Sequence, residues 1–262
     1  MEKRKDKVVE MLICYPHGLG DCILLTPALR EFYFVTGEKV SVATLERFKT
    51  AKLFDSNPYV DKIFYTKDAW NDYPNFDIGC REVHQACVDF AQKNNISKIA
   101  FPQHKSYKEK ILANYVDIGL DRAINPTTEL FTTSVEIKMA NQVIDNLVGN
   151  NKFGFIQTKT GVPAKDLPDG YGKSWLKKNI GLSHFIEVGV EYDGLSMSIG
   201  TQFEIMRRSS AVCLPDSVFY HACGAMNKPV DFVYFAKGKS VYDRVKPLHP
   251  VRQNIVYELG DV

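Results

Sequence analysis

Two short segments and one loop carry the residues whose types and spacing could do chemistry. The first is His17-Gly18-Leu19-Gly20-Asp21, directly after an apolar run. Glycine lets a backbone turn sharply and approach a ligand closely, so Gly18 and Gly20 read as loop or acceptor-side residues. Asp21 then falls at the carboxyl end of a buried strand, where it could take a proton from a sugar hydroxyl as a general base. The competing reading is that Asp21 only caps the following helix. The second segment is Asp216-Ser217-Val218-Phe219-Tyr220-His221. Asp216 and Ser217 stand where side-chain and backbone donors at a helix start can hold a phosphate or ribose. His221 follows Ser217 by one helical turn and shares its face. The alternative is an Asp or Ser cap with a half-buried histidine. The loop 158–175 holds Lys159, Lys165, Lys173 and Trp175. Its lysines could neutralise a diphosphate, or simply be solvated.

These residues need elements to place them. Val8–Tyr15 reads as a buried strand, and the apolar spacing from Asp21 to Val35 as a helix that Pro27 delays or kinks. Strands follow at 39–45, 62–65, 76–79 and 98–101. Helices are expected over 46–54, 83–93 and 105–118. Asp121–Ser134, rich in Thr, Asn and Pro, reads as a linker. The rhythm then restarts. Strands are expected at 153–157, 185–190, 211–214 and 230–235, and helices at 139–147, 201–209 and 219–226. Alternating strands and helices imply parallel sheets with right-handed crossovers. The fold class is therefore α/β, with two Rossmann-like lobes over residues 1–134 and 135–262. Paired lobes of this kind place a ligand cleft at the carboxyl ends of their strands.

Composition sets the bounds. The chain has 262 residues, 45% hydrophobic and 24% charged, which is ordinary globular usage. The net charge of +2 supplies no strong field toward nucleic acid or membrane. The basic run Glu2–Lys7 offers at most peripheral contact with anionic lipid or nucleic acid. No apolar stretch approaches the roughly 20 residues of a membrane helix. The six cysteines form no C-x-x-C pair and read as reduced core thiols. These features place the protein in the cytoplasm. No Cys/His spacing suits zinc, no Asp-x-Asp motif suits a divalent cation, and neither the full G-x-G-x-x-G fingerprint nor a phosphate-loop signature is present. No cofactor and no metal are expected.

In order along the chain, these segments resemble glycosyltransferase family 9, the lipopolysaccharide heptosyltransferases. The likeness lies in Gly18-Leu19-Gly20-Asp21 followed by Thr26-Pro27-Ala28-Leu29-Arg30, in Asn57-Pro58-Tyr59-Val60-Asp61-Lys62-Ile63, and in Asn75-Phe76-Asp77. It continues in Lys173-Ser174-Trp175 and in Asp216 to His221 with the Lys228-Pro229-Val230 exit. The resemblance implies a GT-B-type fold and an inverting, metal-independent transfer from a nucleotide-diphosphate sugar, with heptose or a related sugar as the group moved. The acceptor would be a glycan, a lipid-linked sugar or another hydroxyl. It makes Asp21 the catalytic base, gives donor contacts to Thr158, Lys173, Asp216, Ser217 and His221, and sets Met197 near the nucleotide base. The chain departs from the family pattern in Val218, where Gly is expected, in a longer loop before Lys173, and in a shorter stretch from Trp175 to Asp216. A reduced C-terminal lobe is expected from these departures. They also leave open a nucleotide-sugar-binding protein that has lost transfer. Lys3, Arg4, Lys5 and Lys7, with Lys105, Lys108 and Lys110, leave open a transferase acting on a nucleic acid base, which the near-neutral charge does not favour. An isomerase or hydrolase of sugar nucleotides is a weaker rival.

Overall fold

The computed structural model describes residues 10–105, 107–188, 197–248 and 251–260. The expected strand residues Val8, Val9, Gly189 and Val190 and the basic run Glu2–Lys7 lie outside the described residues. The chain divides into two compact units, Met1–Pro126 and Thr127–Val262, each treated by itself below.

The first unit runs β1 (Met11–Cys14), α1 (Leu19–Thr36), β2 (Val40–Leu45), a 3-10 turn (Glu46–Ala51), β3 (Val60–Thr66), α2 (Phe76–Lys93), β4 (Lys98–Ala100) and α3 (Lys110–Asp117). Its four strands are all parallel, in the order β3-β2-β1-β4. Every residue of β1 and β2 is buried. That burial explains their continuous apolar character, since a parallel sheet is covered on both faces. Alternate residues of β1 serve opposite faces. Leu12 and Cys14 pack with Val83, Cys87 and Ala91 of α2, while Tyr15, just beyond the strand, reaches α3.

Three local expectations are corrected. Helix α1 begins at Leu19, well before Pro27, and contains that proline in its interior. A proline there removes the amide that would bond the carbonyl four residues back, which is Ile23. The Thr26 hydroxyl donates to that same Ile23 carbonyl at 2.8 Å, so the lost donor is replaced by a side chain. The segment 76–79, expected as a strand, is the first turn of an unbroken α2. Asn75 caps it by accepting from the Ile78 amide at 2.9 Å. Helix α3 starts only at Lys110, because residues 101–104 leave β4 in a turn with His104 in the left-handed region at φ 54°.

The second unit runs α4 (Ser134–Leu147), β5 (Gly154–Gln157), a 3-10 turn (Pro163–Lys165), α5 (Tyr171–Ile180), β6 (Phe185–Val188), α6 (Ile199–Arg208), β7 (Ala211–Pro215), α7 (Val218–Ala225), β8 (Val230–Tyr234), α8 (Lys239–Val245) and β9 (Gln253–Val256). A capping box between Thr133 and Glu136 opens α4. The five strands are parallel in the order β6-β5-β7-β8-β9. Among the described residues this second sheet has one strand more than the first. Its last helix and strand, α8 and β9, were not anticipated from sequence. No described helix is long and apolar enough to cross a membrane.

The Thr26 arrangement is testable by replacing Thr26 with its isostere valine. Thr26→Val strips the buried Ile23 carbonyl of this donor and is expected to cost about 1–3 kcal/mol in denaturant unfolding. Thr26→Ser should retain most of the stability. Equal stability of the valine variant would remove the proposed compensation for Pro27.

Candidate active site

In the first unit the four parallel strands end on one edge, and the polar groups gather there. Asp21 lies in the first turn of α1, where the helix dipole favours a negative charge. It is not the cap: Gly18 holds that position, with no side-chain cap bond. Instead Asp21 Oδ1 pairs with the Lys110 ammonium of α3 at 2.7 Å, with both side chains about four-fifths buried. Gly18 stands at φ −58°, which any residue can adopt, so the backbone turn does not require glycine there. A Cβ on Gly18 would lie 3.6 Å from Asp21 Oδ2, an ordinary van der Waals contact, so space does not require glycine there either. Gly20 is the second residue of α1.

Beside Asp21 is a network that residue spacing did not reveal. Asn114 of α3, wholly buried, donates through Nδ2 to the Leu24 carbonyl of α1 at 2.9 Å. Its Oδ1 must therefore accept, and it faces the Tyr15 hydroxyl at 3.2 Å and His104 Nε2 at 3.0 Å. His104 carries its proton on Nε2 as a result, and that nitrogen also lies 2.8 Å from the Tyr15 oxygen. The His104 and Gln103 amides both donate to Asp117 Oδ2 at 2.9 Å, which pins the turn after β4. His17 Nε2 donates to the Pro102 carbonyl at 3.2 Å, and its ring centre lies 4.6 Å from that of His104. Burial is the first cause that lowers both histidines. His104, also opposed by His17 and Lys110, falls to about 4. Burial, followed by the Asp21 charge, raises the Tyr15 phenol well above its ordinary range. The edge thus holds neutral imidazoles and a phenol that keeps its proton, next to an ion-paired carboxylate.

In the second unit the carboxyl ends of β6, β5 and β7 are neighbours. They bring together most of the residues singled out from sequence. The Thr158 hydroxyl, just after β5, donates to Glu187 Oε1 of β6. The Lys173 ammonium, in the first turn of α5, pairs with Glu187 Oε2 at 2.9 Å. Asp216, just after β7, pairs through Oδ2 with Lys165 at 2.6 Å. Ser217 caps α7 by accepting from the Phe219 amide at 3.3 Å, and it donates to Gln157 Oε1 at 2.5 Å. His221 is buried one turn further along α7. Met197 precedes Ser198, the cap of α6, and its carbonyl accepts from the Gln202 side chain at 3.0 Å. Glu187, Gln157 and the pairing of Lys165 with Asp216 were missed from sequence. Each acts across strands or loops that only the folded sheet makes adjacent.

Among the described residues no three His, Cys, Asp or Glu side chains gather to hold a metal ion. A depression of about 360 Å³, lined by Glu10, Lys39, Ser41 and Asp61 among others, lies at the amino ends of β1, β2 and β3. It is at the opposite end of the sheet from Asp21 and contains none of the candidate chemistry.

Two measurements check this network. Asn114→Ala strips partners from Leu24, Tyr15 and His104, and is expected to cost about 1–3 kcal/mol for each group left buried without one. His104, lowered to about 4 in the fold against about 6.5 unfolded, refuses a proton that the unfolded chain accepts. Its contribution is therefore complete above about pH 6.5 and is lost as pH falls toward about 4. His104→Asn, which tolerates the left-handed backbone, should flatten the fall in stability over that window. An unchanged slope would show that His104 titrates normally.

No protein-family model and no curated protein matches the sequence. Solved structures do match. A family 9 glycosyltransferase from Veillonella parvula aligns at 12% identity and a TM-score of 0.63, over 95% of this chain and 85% of that one. The ADP-heptose lipopolysaccharide heptosyltransferase II of E. coli aligns at 11% and 0.65, over 96% and 91%. The E. coli heptosyltransferase WaaC, solved with ADP, aligns at 12% and 0.58, over 94% and 92%. At these identities the likeness is one of fold, and the chain has the two-sheet α/β fold of the GT-B heptosyltransferases.

Proposed function

We propose that the chain is an inverting, metal-independent glycosyltransferase that moves heptose or a related sugar from a nucleotide-diphosphate donor to an acceptor hydroxyl. The observation that carries this reading is Asp21, an oriented carboxylate at the carboxyl end of β1 in a chain with the fold of heptosyltransferases. The neighbours include one heptosyltransferase, WaaC of E. coli, solved both with ADP and with an ADP-fluoroheptose, which supports a nucleotide-sugar donor here.

In this mechanism the acceptor oxygen attacks the anomeric carbon as the bond from that carbon to the diphosphate oxygen breaks. The acceptor proton passes to Asp21, and the bonding electrons leave with the diphosphate. Attack opposite the leaving group inverts the anomeric centre. Lys110 fixes the carboxylate so that no reorientation is needed at the moment of transfer. Charge developing on the diphosphate is met by Lys165, Lys173 and the amides at the start of α7. Glu187 and Asp216 hold those lysines in place until phosphate oxygens compete for them.

General-base catalysis contributes roughly 10²–10⁴-fold, so Asp21→Asn is expected to lower acceptor-dependent release of nucleoside diphosphate by about that factor. Donor affinity should be unchanged, and a chelator should leave the wild-type rate intact. Normal turnover in Asp21→Asn would remove Asp21 from the chemistry. A rate abolished by chelator and restored by a divalent cation would overturn metal independence.

A further inference from the structure

Beyond the carboxyl end of β3 the first unit presents two stacked aromatic rings to solvent. Trp70 is 72% exposed and Phe76 39% exposed, with ring centroids 4.0 Å apart and planes inclined by 24°. Large aromatics left in water forgo burial, yet the loop that carries them is tightly built. Asp68, itself buried, accepts from the Trp70 amide at 2.9 Å and the Asn71 side chain at 2.7 Å, and pairs with Arg47 at 3.0 Å. The Asp68 amide in turn donates to Asp72 Oδ2 at 2.7 Å, and the Asp72 amide donates to the Asp68 carbonyl at 2.9 Å. Ala69 is pressed against α2 so closely that a Cβ on Gly79 would lie 2.3 Å from the Ala69 carbonyl oxygen. The Asn75 cap then fixes the start of the helix that carries Phe76. Hydrogen bonding, close backbone packing and a helix cap all hold Trp70 outward.

Its position is equally specific. Strands β3, β2 and β1 are parallel neighbours, so the segments leaving their carboxyl ends share one edge of the sheet. That edge carries Trp70 after β3, Arg47 after β2 and Asp21 after β1. Two strand spacings, about 10 Å, separate β3 from β1. Next to the rings in the chain Asn71, Asp72 and Asp77 are exposed, and the cations Lys67 and Arg47 stand on the same edge. An aromatic face bordered by carboxylates suits a sugar ring, whose C–H face packs on the aromatic surface while its hydroxyls donate to the carboxylates.

We propose that Trp70 and Phe76 form a stacking platform for a sugar ring of the acceptor, so that the acceptor is a glycan running along the sheet edge from Asp21 toward β3. The word acceptor rests on the proposed transferase reading; the saccharide site itself does not. The test uses the full chain on an array of immobilised oligosaccharides built from hexoses, N-acetylhexosamines and heptoses. Wild type should retain a defined subset. Trp70→Ala should lose about tenfold or more in apparent affinity, and Trp70→Phe should recover most of it. Melting temperature should fall by only a few degrees in Trp70→Ala, because Trp70 is exposed and only its stack on Phe76 is lost. Retention on the array needs neither donor nor turnover, so loss of binding in Trp70→Ala reports on the platform alone, and the catalytic assignment of Asp21 stands or falls separately in the turnover assay. No retention by wild type, or equal retention by Trp70→Ala, would overturn the proposal. Trp70-dependent binding to phosphatidylglycerol vesicles without glycan binding would reassign the face to a membrane. Trp70-dependent dimerisation in sedimentation would reassign it to a second copy of the chain.

Discussion

The first unit depends on the side chain of Asn114. It is wholly buried and sits where α3, α1, the end of β1 and the turn after β4 meet. An amide in that position has only one workable orientation. Its nitrogen must face the Leu24 carbonyl, and its oxygen must face two donors. The consequences pass outward along the helices. Lys110 lies one turn before Asn114 on the same face of α3, and Asp21 lies three residues before Leu24 on α1, so fixing Asn114 brings the ammonium to the carboxylate. Burial makes such a network all or nothing, since any member left without its partner keeps the desolvation cost.

The second unit meets a different constraint with similar means. Lys165 and Lys173 both lie in the segment between β5 and β6, and a carboxylate from each neighbouring strand end holds one of them: Asp216 after β7 and Glu187 of β6, which also accepts from the Thr158 hydroxyl. On the proposed transferase reading, a diphosphate brings the same kind of oxygens as these carboxylates, and the serine cap and the amides of α7 add donors on the same edge. On that reading the carboxylates act as placeholders that keep the lysines aimed.

Much of this was legible in the sequence because the signals were local. The apolar runs that became β1, β2, β5, β7 and β8 stand out, and so do the turn after β1 and the Asp-Ser step after β7. Pro27 misled because its consequence is cancelled by a neighbour, Thr26, which looks like any other polar residue in a helix. Phe76–Gly79 misled because its apolar character comes from packing against Ala69 and Trp70, not from a strand. The network of Tyr15, His17, His104 and Asn114 could not be read, because its members are up to 99 residues apart and meet only when β4 is placed beside β1. Glu187 was hidden for the same reason: one acidic residue in a short strand gains meaning only from the lysine and threonine beside it. The strand β9 escaped because its four residues are mostly half-exposed and lack the buried run that marks its neighbours.

The central claim is that the carboxyl edge of the second sheet takes a nucleotide-diphosphate sugar. The most direct test is isothermal titration of the full chain with ADP-, GDP-, UDP-, CDP- and dTDP-sugars, each beside its bare nucleotide. The account predicts one saturable site for a single nucleotide class, with affinity lost when the diphosphate is replaced by the monophosphate and reduced in Lys173→Met. Absence of heat for every diphosphate sugar, or binding that ignores both the diphosphate and Lys173, would contradict it.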